Sequence, residues 1–128
     1  MCKCCKPLLL RVQAVDATAD PVLLTTNRPI SNLAMDHCFE LEMLACSLTG
    51  VNTNTVSLTD GTTTLPMRVK CSGDLLRYDS LVDFVNRPRC CGVVRLRCYL
   101  GSDPAPGHVI VRECLCPSSF VAAPATGG

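Results

Sequence analysis

Residues 55–70 of the chain read TVSLTDGTTTLPMRVK, and this stretch does most to decide the fold. The pair Asp60-Gly61 separates two runs rich in threonine, valine and leucine, of which valine and threonine in particular favour strands. Asp-Gly between two such runs predicts a tight primed turn, because both turn residues must accept positive φ. Pro66 lacks a backbone donor, so its strand is expected to meet a sheet edge or a bulge at that point. The stretch therefore predicts a β-hairpin.

Further strand-like segments lie on both sides of this hairpin, and most of them alternate apolar and polar residues, as strands with one buried face do. These segments are 8–15, 22–26, 38–46, 93–100 and 108–115. The alternation assigns to the core Leu10, Val12, Phe39, Leu41, Met43, Leu96 and Val111. It assigns to the surface Glu40, Glu42, Arg95 and Arg97.

Residues 75–85 change to a spacing of three and four, which places Tyr78, Leu81, Val82 and Val85 on one face of a short helix. Six or seven short strands separated by turn residues are typical of a sandwich or a small barrel. The sequence therefore predicts a mainly β fold, a β-sandwich or jelly-roll-like small barrel, with one short helix.

The chain of 128 residues suits one domain rather than two. We expect a Cys-rich N-terminal arm at 1–7, a single β domain at 8–116 and a flexible C-terminal arm at 117–128 that is rich in proline, alanine and glycine.

Twelve basic and eleven acidic residues leave a net charge of only +1. Such a chain has no overall field that attracts phosphates, so nucleic acid is not the expected partner, whereas copies of the chain do not repel one another. A basic face is expected at Arg95, Arg97 and Arg112, beside the single aromatic ring of Tyr99. We interpret this face as solvated or as a salt-bridged subunit contact, because one tyrosine is a small stacking platform for bases.

Eleven cysteines in a chain of this length are unusual. The N-terminal residues do not resemble a signal peptide, because the apolar run at 8–10 is short and Arg11 follows it, and no segment has the length of a membrane span. Cytosolic thiols normally stay reduced. We therefore expect a protein made in the cytoplasm that ends in an oxidising location, as part of a virion or of an extracellular or spore surface.

The cysteines at the chain ends and beside strands are candidates for crosslinks between subunits or for metal binding. These candidates are Cys2, Cys4, Cys5, Cys90, Cys91, Cys114 and Cys116. Cys2 and Cys5 have the C-x-x-C spacing with which two thiolates hold zinc, which is the one cofactor that the sequence suggests. Four other cysteines lie singly in or beside strands and are interpreted as small buried apolar residues. They are Cys38, Cys46, Cys71 and Cys98.

No residue set indicates catalysis. The two histidines, His37 and His108, have no partner that the sequence places beside them, and no nucleophile, phosphate-binding or dinucleotide motif is present. We expect a non-enzymatic structural subunit that assembles with itself and with other proteins of a larger particle or surface layer. A virion capsid or decoration protein and a spore or cell-surface protein are the candidates.

Strand-edge and arm contacts are expected to hold this assembly, and terminal cysteines to lock it. A small zinc-stabilised binding module is the alternative, and an enzyme of unknown type is a second one that no residues support.

Overall fold

The structure, a computed structural model, describes residues 8–44, 47–49, 52–86, 92–101 and 107–115. Within these ranges the chain forms seven strands and one helix. The strands are β1 (Leu8–Ala14), β2 (Val22–Thr26), β3 (Cys38–Leu44), β4 (Val56–Thr59), β5 (Thr64–Val69), β6 (Val93–Gly101) and β7 (His108–Val111), and the helix is α1 (Tyr78–Asn86), between β5 and β6.

The strands form a closed barrel in the order β1-β2-β4-β5-β7-β6-β3, and β3 returns to β1. Two strands change partner along their length, which closes the barrel. The first half of β1 runs parallel to β3 and its last three residues run antiparallel to β2. The first half of β5 is antiparallel to β4, and its second half is parallel to β7. The predicted mainly β fold with one short helix is confirmed, in its barrel form.

The predicted hairpin joins β4 to β5, with Leu58 opposite Leu65 and Thr59 opposite Thr64. The connection is wider than the predicted two-residue turn, because the four residues 60–63 lie between the paired threonines. Within this loop only Gly61 has a positive φ, of 96°. A primed two-residue turn of the Asn-Gly or Asp-Gly type would need two such residues, so the turn type was predicted wrongly.

Pro66 lies opposite Ser57 of β4, and the next residue, Met67, begins the pairing with β7. At Pro66 itself β5 pairs with β4 alone, so the expected sheet edge at this residue is confirmed, although the strand as a whole has a neighbour on each side. Pro66, which has no backbone N–H to donate, is thus the last residue of β5 that pairs with β4 before the strand pairs with β7.

The side chains assigned to the core from the alternation are all buried, and Arg95 and Arg97 are exposed as expected. Glu40 and Glu42 are only half-exposed, so their assignment to the open surface is wrong. The Glu42 side chain keeps just 13% of its accessible area, because arginines from two neighbouring strands lie against it.

The helix α1 covers one end of the barrel and buries Tyr78, Leu81 and Val85 in the core. It begins at Tyr78 rather than at residue 75, because residues 75–77 are extended between β4 and β5. There the Leu76 amide donates to the Met67 carbonyl (2.9 Å), and the Leu76 carbonyl accepts from the Val56 amide (2.9 Å). We call this end of the barrel, where β1, β3, β5 and β7 finish, the α1 end.

Candidate functional site

Two thiols contact each other at the α1 end of the barrel. β5 and β7 are parallel neighbours, with Val69 opposite Val111, and the Lys70 amide continues the pairing by donating to the Val111 carbonyl (2.9 Å). Cys71 follows β5 and Cys114 follows β7, so the two chain segments leave the barrel side by side. The side chains of the two cysteines are hydrogen-bonded to each other, and both residues are exposed.

The backbone on each side holds these thiols in place. A tight turn follows Cys71, in which the Gly73 amide donates to the Val69 carbonyl (2.7 Å) and Gly73 has a φ of 75°. Arg68 closes the same turn, because its Nη1 donates to the Gly73 carbonyl (2.9 Å). A left-handed φ suits glycine, so the sequence Ser-Gly after Cys71 supports this conformation.

Cys114 lies between two anchored residues. Before it, the Glu113 carboxylate accepts from the Arg97 backbone amide (3.2 Å) and from the Arg97 Nε (2.9 Å). After it, the Leu115 side chain is buried in the core. Cys114 therefore has a fixed position at the surface beside Cys71.

The Cys114 thiol is the main cause that raises the pKa of Cys71 above its usual value, with partial burial a second cause. The amides of Cys71 and Leu115 act in the opposite direction, because they donate to the Cys71 sulfur and favour the thiolate. The net effect is that Cys71 keeps its proton to higher pH than an ordinary thiol does. In the reduced protein the two residues form a dithiol.

The remaining cysteines have different environments. Cys98 is free and fully buried, which confirms its interpretation as an apolar core residue, and burial raises its pKa well above the usual value. Cys38 is buried but disulfide-bonded, so the interpretation of it as a simple buried thiol is wrong. The same interpretation is wrong for Cys71, because it is exposed.

Most of the predicted crosslinking or metal-binding cysteines cannot be placed. Cys114 is described, and the others lie outside the described residues, as does Cys46. Those others are Cys2, Cys4, Cys5, Cys90, Cys91 and Cys116, which include the proposed zinc ligands Cys2 and Cys5. Within the part of the chain that the structure covers, no cluster of three potential metal ligands occurs.

The predicted basic face carries both signs of charge. Glu42 bridges two strands, with Arg11 Nε 3.2 Å from one carboxylate oxygen and Arg95 Nη2 3.3 Å from the other. Arg97 is paired with Glu113 (2.9 Å). Arg95 and Arg97 are thus on one exposed face as expected, but carboxylates from the adjoining strand and from the segment after β7 neutralise much of their charge.

Arg112 and Tyr99 complete the predicted basic face. Arg112 continues past β7, where its amide donates to the Arg97 carbonyl (2.8 Å), and its side chain is not free. The Lys70 ammonium lies 5.7 Å from the centre of the Tyr99 ring, a cation–π contact. The Tyr99 ring, the candidate for base stacking, therefore has the Lys70 ammonium of the same chain beside it.

Apolar side chains are exposed at the α1 end of four neighbouring strands, β2, β1, β3 and β6. Val15, just after β1, is 76% exposed, Leu44 at the end of β3 is 61% exposed and Val93 at the start of β6 is 53% exposed. Leu44 and Val93 are register partners, and Leu23 on β2 is also exposed. We call these four residues the apolar rim.

The two histidines lie in different surroundings, and a surface cavity lies elsewhere on the barrel. His108 Nδ1 accepts from Arg68 Nε (2.7 Å), and His37 is exposed. A surface cavity of about 270 Å³ lies over the β1–β2 pair, and its lining residues are Arg11, Val12, Gln13, Thr25, Thr26 and Asn27. The single ionisable group in this lining is Arg11, which is paired with Glu42.

Comparisons with protein-family models, with curated proteins and with solved structures find no match to this chain. No helix among the described residues has the length and apolar character needed to cross a membrane. Sequence reasoning missed both the Cys71–Cys114 pair and the apolar rim. The cysteines are visible in the sequence, but only the parallel pairing of β5 with β7 brings these two together.

Proposed function

We propose that this chain is a structural, non-catalytic subunit that assembles with copies of itself through the apolar rim. The exposure of Val15, Leu44 and Val93 carries the proposal. Contiguous apolar surface costs free energy in water, roughly 25 cal/mol per Å², and contact with another molecule removes this cost. The paired residues Leu44 and Val93 form the centre of the rim, because their side chains stand beside each other on the same outward face.

A second copy of the chain suits this surface electrostatically. Arg11, Glu42 and Arg95 lie on the same strands as the rim and present both signs of charge. A two-fold symmetric contact places one surface against itself, so a surface with both signs can be complementary to itself. The net charge of +1 adds little repulsion between copies.

The mode of association differs from strand-edge addition, which the sequence suggested. Each described strand has two neighbours in the closed barrel, although β1 and β5 pair with theirs one after the other, so only short edges are left onto which another strand could add. Side-by-side packing of barrel surfaces therefore supports assembly better than a continued sheet. A larger particle or a surface layer, in a virion or on a spore or cell, is the context that we propose for such a subunit.

Light scattering coupled to size-exclusion chromatography tests the proposal with charged substitutions in the rim. Leu44→Lys and Val93→Lys should each shift the protein from oligomer to monomer at the same concentration, because a lysine here would be desolvated in the contact. The matched control is Met35→Lys. Met35 is 45% exposed, but it precedes β3 and so lies at the opposite end of the barrel. This control should leave the oligomer unchanged.

The measurement is made with and without reductant, so that covalent and noncovalent association are separated. A wild-type protein that stays monomeric at high concentration under both conditions would overturn the proposal. Equal effects of Leu44→Lys and Met35→Lys would also overturn it, because they would show that assembly does not use the rim. A monomer that contains one equivalent of zinc would favour the alternative binding module at Cys2 and Cys5.

A further inference from the structure

Cys71 and Cys114 are placed to react with each other. The two segments that carry them are neighbours through the β5–β7 ladder, and the thiols are already in hydrogen-bond contact. Cys71 lies two residues beyond Val69 and Cys114 three residues beyond its register partner Val111, so both cysteines follow the same paired strand ends. Bond formation therefore needs only a small approach of the two sulfurs, with no rearrangement of the barrel.

We propose that Cys71 and Cys114 are a redox modification site, a dithiol that a small-molecule disulfide such as oxidised glutathione converts reversibly into an intrachain disulfide. The thiolate of one cysteine attacks a sulfur of oxidised glutathione, whose disulfide bond breaks and releases one glutathione thiolate. The second cysteine then attacks the protein sulfur of the mixed disulfide and releases the second glutathione. Two protein thiols are oxidised, one glutathione disulfide is reduced, and the two cysteine protons end on the two glutathione thiols.

The site is selective among the described cysteines. Cys98 is fully buried on the inner face of β6, where a bulky disulfide reagent has no access, and Cys38 is already in a disulfide. Cys71 and Cys114 are both exposed, so reagent can reach either of them. Exposure and a nearby resolving thiol favour an exchange of this kind, and the raised pKa of Cys71 means that the exchange goes faster as the pH rises.

The intrachain pair changes the role expected of Cys114. We had grouped this residue with the cysteines available for crosslinks between subunits. A partner within hydrogen-bond contact in the same chain competes with any cysteine of a second copy, because the intrachain reaction has a high effective concentration. The proposal does not depend on self-assembly, and it applies equally to a monomeric protein.

Peptide mapping by mass spectrometry after treatment with oxidised glutathione tests the site. We expect a linked peptide pair that contains Cys71 and Cys114, and its loss after treatment with reductant. In Cys71→Ser the linked pair should disappear, and Cys114 should instead retain a glutathione adduct because the resolving thiol of Cys71 has been removed. Cys114→Ser should give the reciprocal adduct on Cys71. The control, Cys98→Ser, should leave the 71–114 link in place.

A mixture of isotopically labelled and unlabelled protein identifies the origin of the link. An intrachain disulfide gives peptide pairs in which both members carry the same label, whereas a disulfide between copies gives mixed pairs. Mixed pairs in statistical proportion would overturn the proposal. Stable glutathione on both cysteines of the wild-type protein, with no 71–114 link, would also overturn it. Neither result bears on the noncovalent assembly, which the rim substitutions test separately.

Discussion

Asp60 stabilises the β4–β5 loop with a single carboxylate. One oxygen accepts from the amides of Thr62 (2.8 Å) and Thr63 (2.7 Å), and the other accepts from the Ile30 amide (2.8 Å). Ile30 is buried, so Asp60 joins the loop to a core residue that is distant in sequence. Hydrogen bonds to Thr63, Ile30 and Thr62 lower the pKa of Asp60 below its usual value.

The lowered pKa predicts how stability depends on pH. Asp60 contributes its full stabilisation above the pKa of an unfolded aspartate, about 3.9, and this contribution is lost as the pH falls through the lower folded pKa. Asp60→Asn keeps one acceptor oxygen but places an amide group towards the Ile30 amide. We expect a lower melting temperature at pH 7 and a weaker fall in stability between pH 5 and pH 2 than in wild type. Melting curves across this range that run parallel for the two proteins would contradict the role of Asp60.

Leu41 is a second residue with a specific prediction. It is 0% exposed and lies between Leu10 of β1 and Leu96 of β6 in a row of leucines across three strands. Leu41→Ala should lower the free energy of unfolding by about 2–5 kcal/mol, because truncation leaves a cavity in the core. Met35→Ala, an exposed apolar residue that precedes the same strand and lies outside the apolar rim, is the control and should change it by less than about 0.5 kcal/mol. Urea denaturation measures both, and a small effect of Leu41→Ala would contradict the burial of this strand face.

At the scale of the elements, the barrel depends on strands that change partner. β1 leaves β3 after Arg11 and pairs with β2 from Val12, and β5 leaves β4 after Pro66 and pairs with β7 from Met67. Each such strand joins two parts of the sheet that would otherwise pack as separate layers. This is why a chain whose strand pattern suits a sandwich equally well closes into a barrel.

The helix α1 is anchored at its first residue. Tyr78 is fully buried, its hydroxyl donates to the Thr49 carbonyl, and burial raises its pKa. Tyr78→Phe should lower the free energy of unfolding by about 0.5–1.5 kcal/mol, because the hydrogen bond from the buried hydroxyl to the Thr49 carbonyl is lost. Tyr99→Phe, on the outer face of β6, is the control and should change it by less than about 0.5 kcal/mol. Equal effects of the two substitutions in denaturant titrations would contradict the anchoring role of the Tyr78 hydroxyl.

At the scale of the whole molecule, the 71–114 disulfide would close a loop that contains α1, β6 and β7 and begins and ends at the α1 end. Closing a loop of several tens of residues restricts the unfolded chain, and we expect oxidation to stabilise the protein by about 2–4 kcal/mol. Denaturant unfolding of oxidised and reduced protein measures this difference. The Cys71→Ser variant is measured in the same way, because Cys38 is also disulfide-bonded and reduction would affect that bond too. A redox response of the same size in wild type and Cys71→Ser would contradict the predicted stabilisation.

The two ends of the barrel differ in what they expose. The α1 end carries the thiol pair and the apolar rim, whereas the opposite end carries the Asp60 loop and the disulfide-bonded Cys38. An assembly contact at the rim would therefore lie at the same end as the redox site. The ion pairs that join Arg11 of β1, Glu42 of β3 and Arg95 of β6 lie between the two ends.

The sequence by itself determined the strands, the helix and the inward face of each strand. These features depend on local patterns, since alternation assigns Leu41 inward and Arg95 outward whatever the partner of the strand is. The half-burial of Glu42 escaped this reasoning, because its arginine partners belong to two other strands. The four-residue turn was not predictable from the local pattern either, because one oxygen of the Asp60 carboxylate accepts from the Ile30 amide, which is distant in sequence.

Apart from the β4–β5 hairpin, only the tertiary structure decided which strands are neighbours, and with that the candidate site. Parallel pairing of β1 with β3 and of β5 with β7 joins segments that are far apart in sequence, and no local pattern specifies such a pair. Cys71 and Cys114 contact each other solely because β5 and β7 finish side by side at one end of a closed barrel. Closure of the barrel likewise leaves little free strand edge, which is why we propose surface packing rather than strand addition for the association of copies.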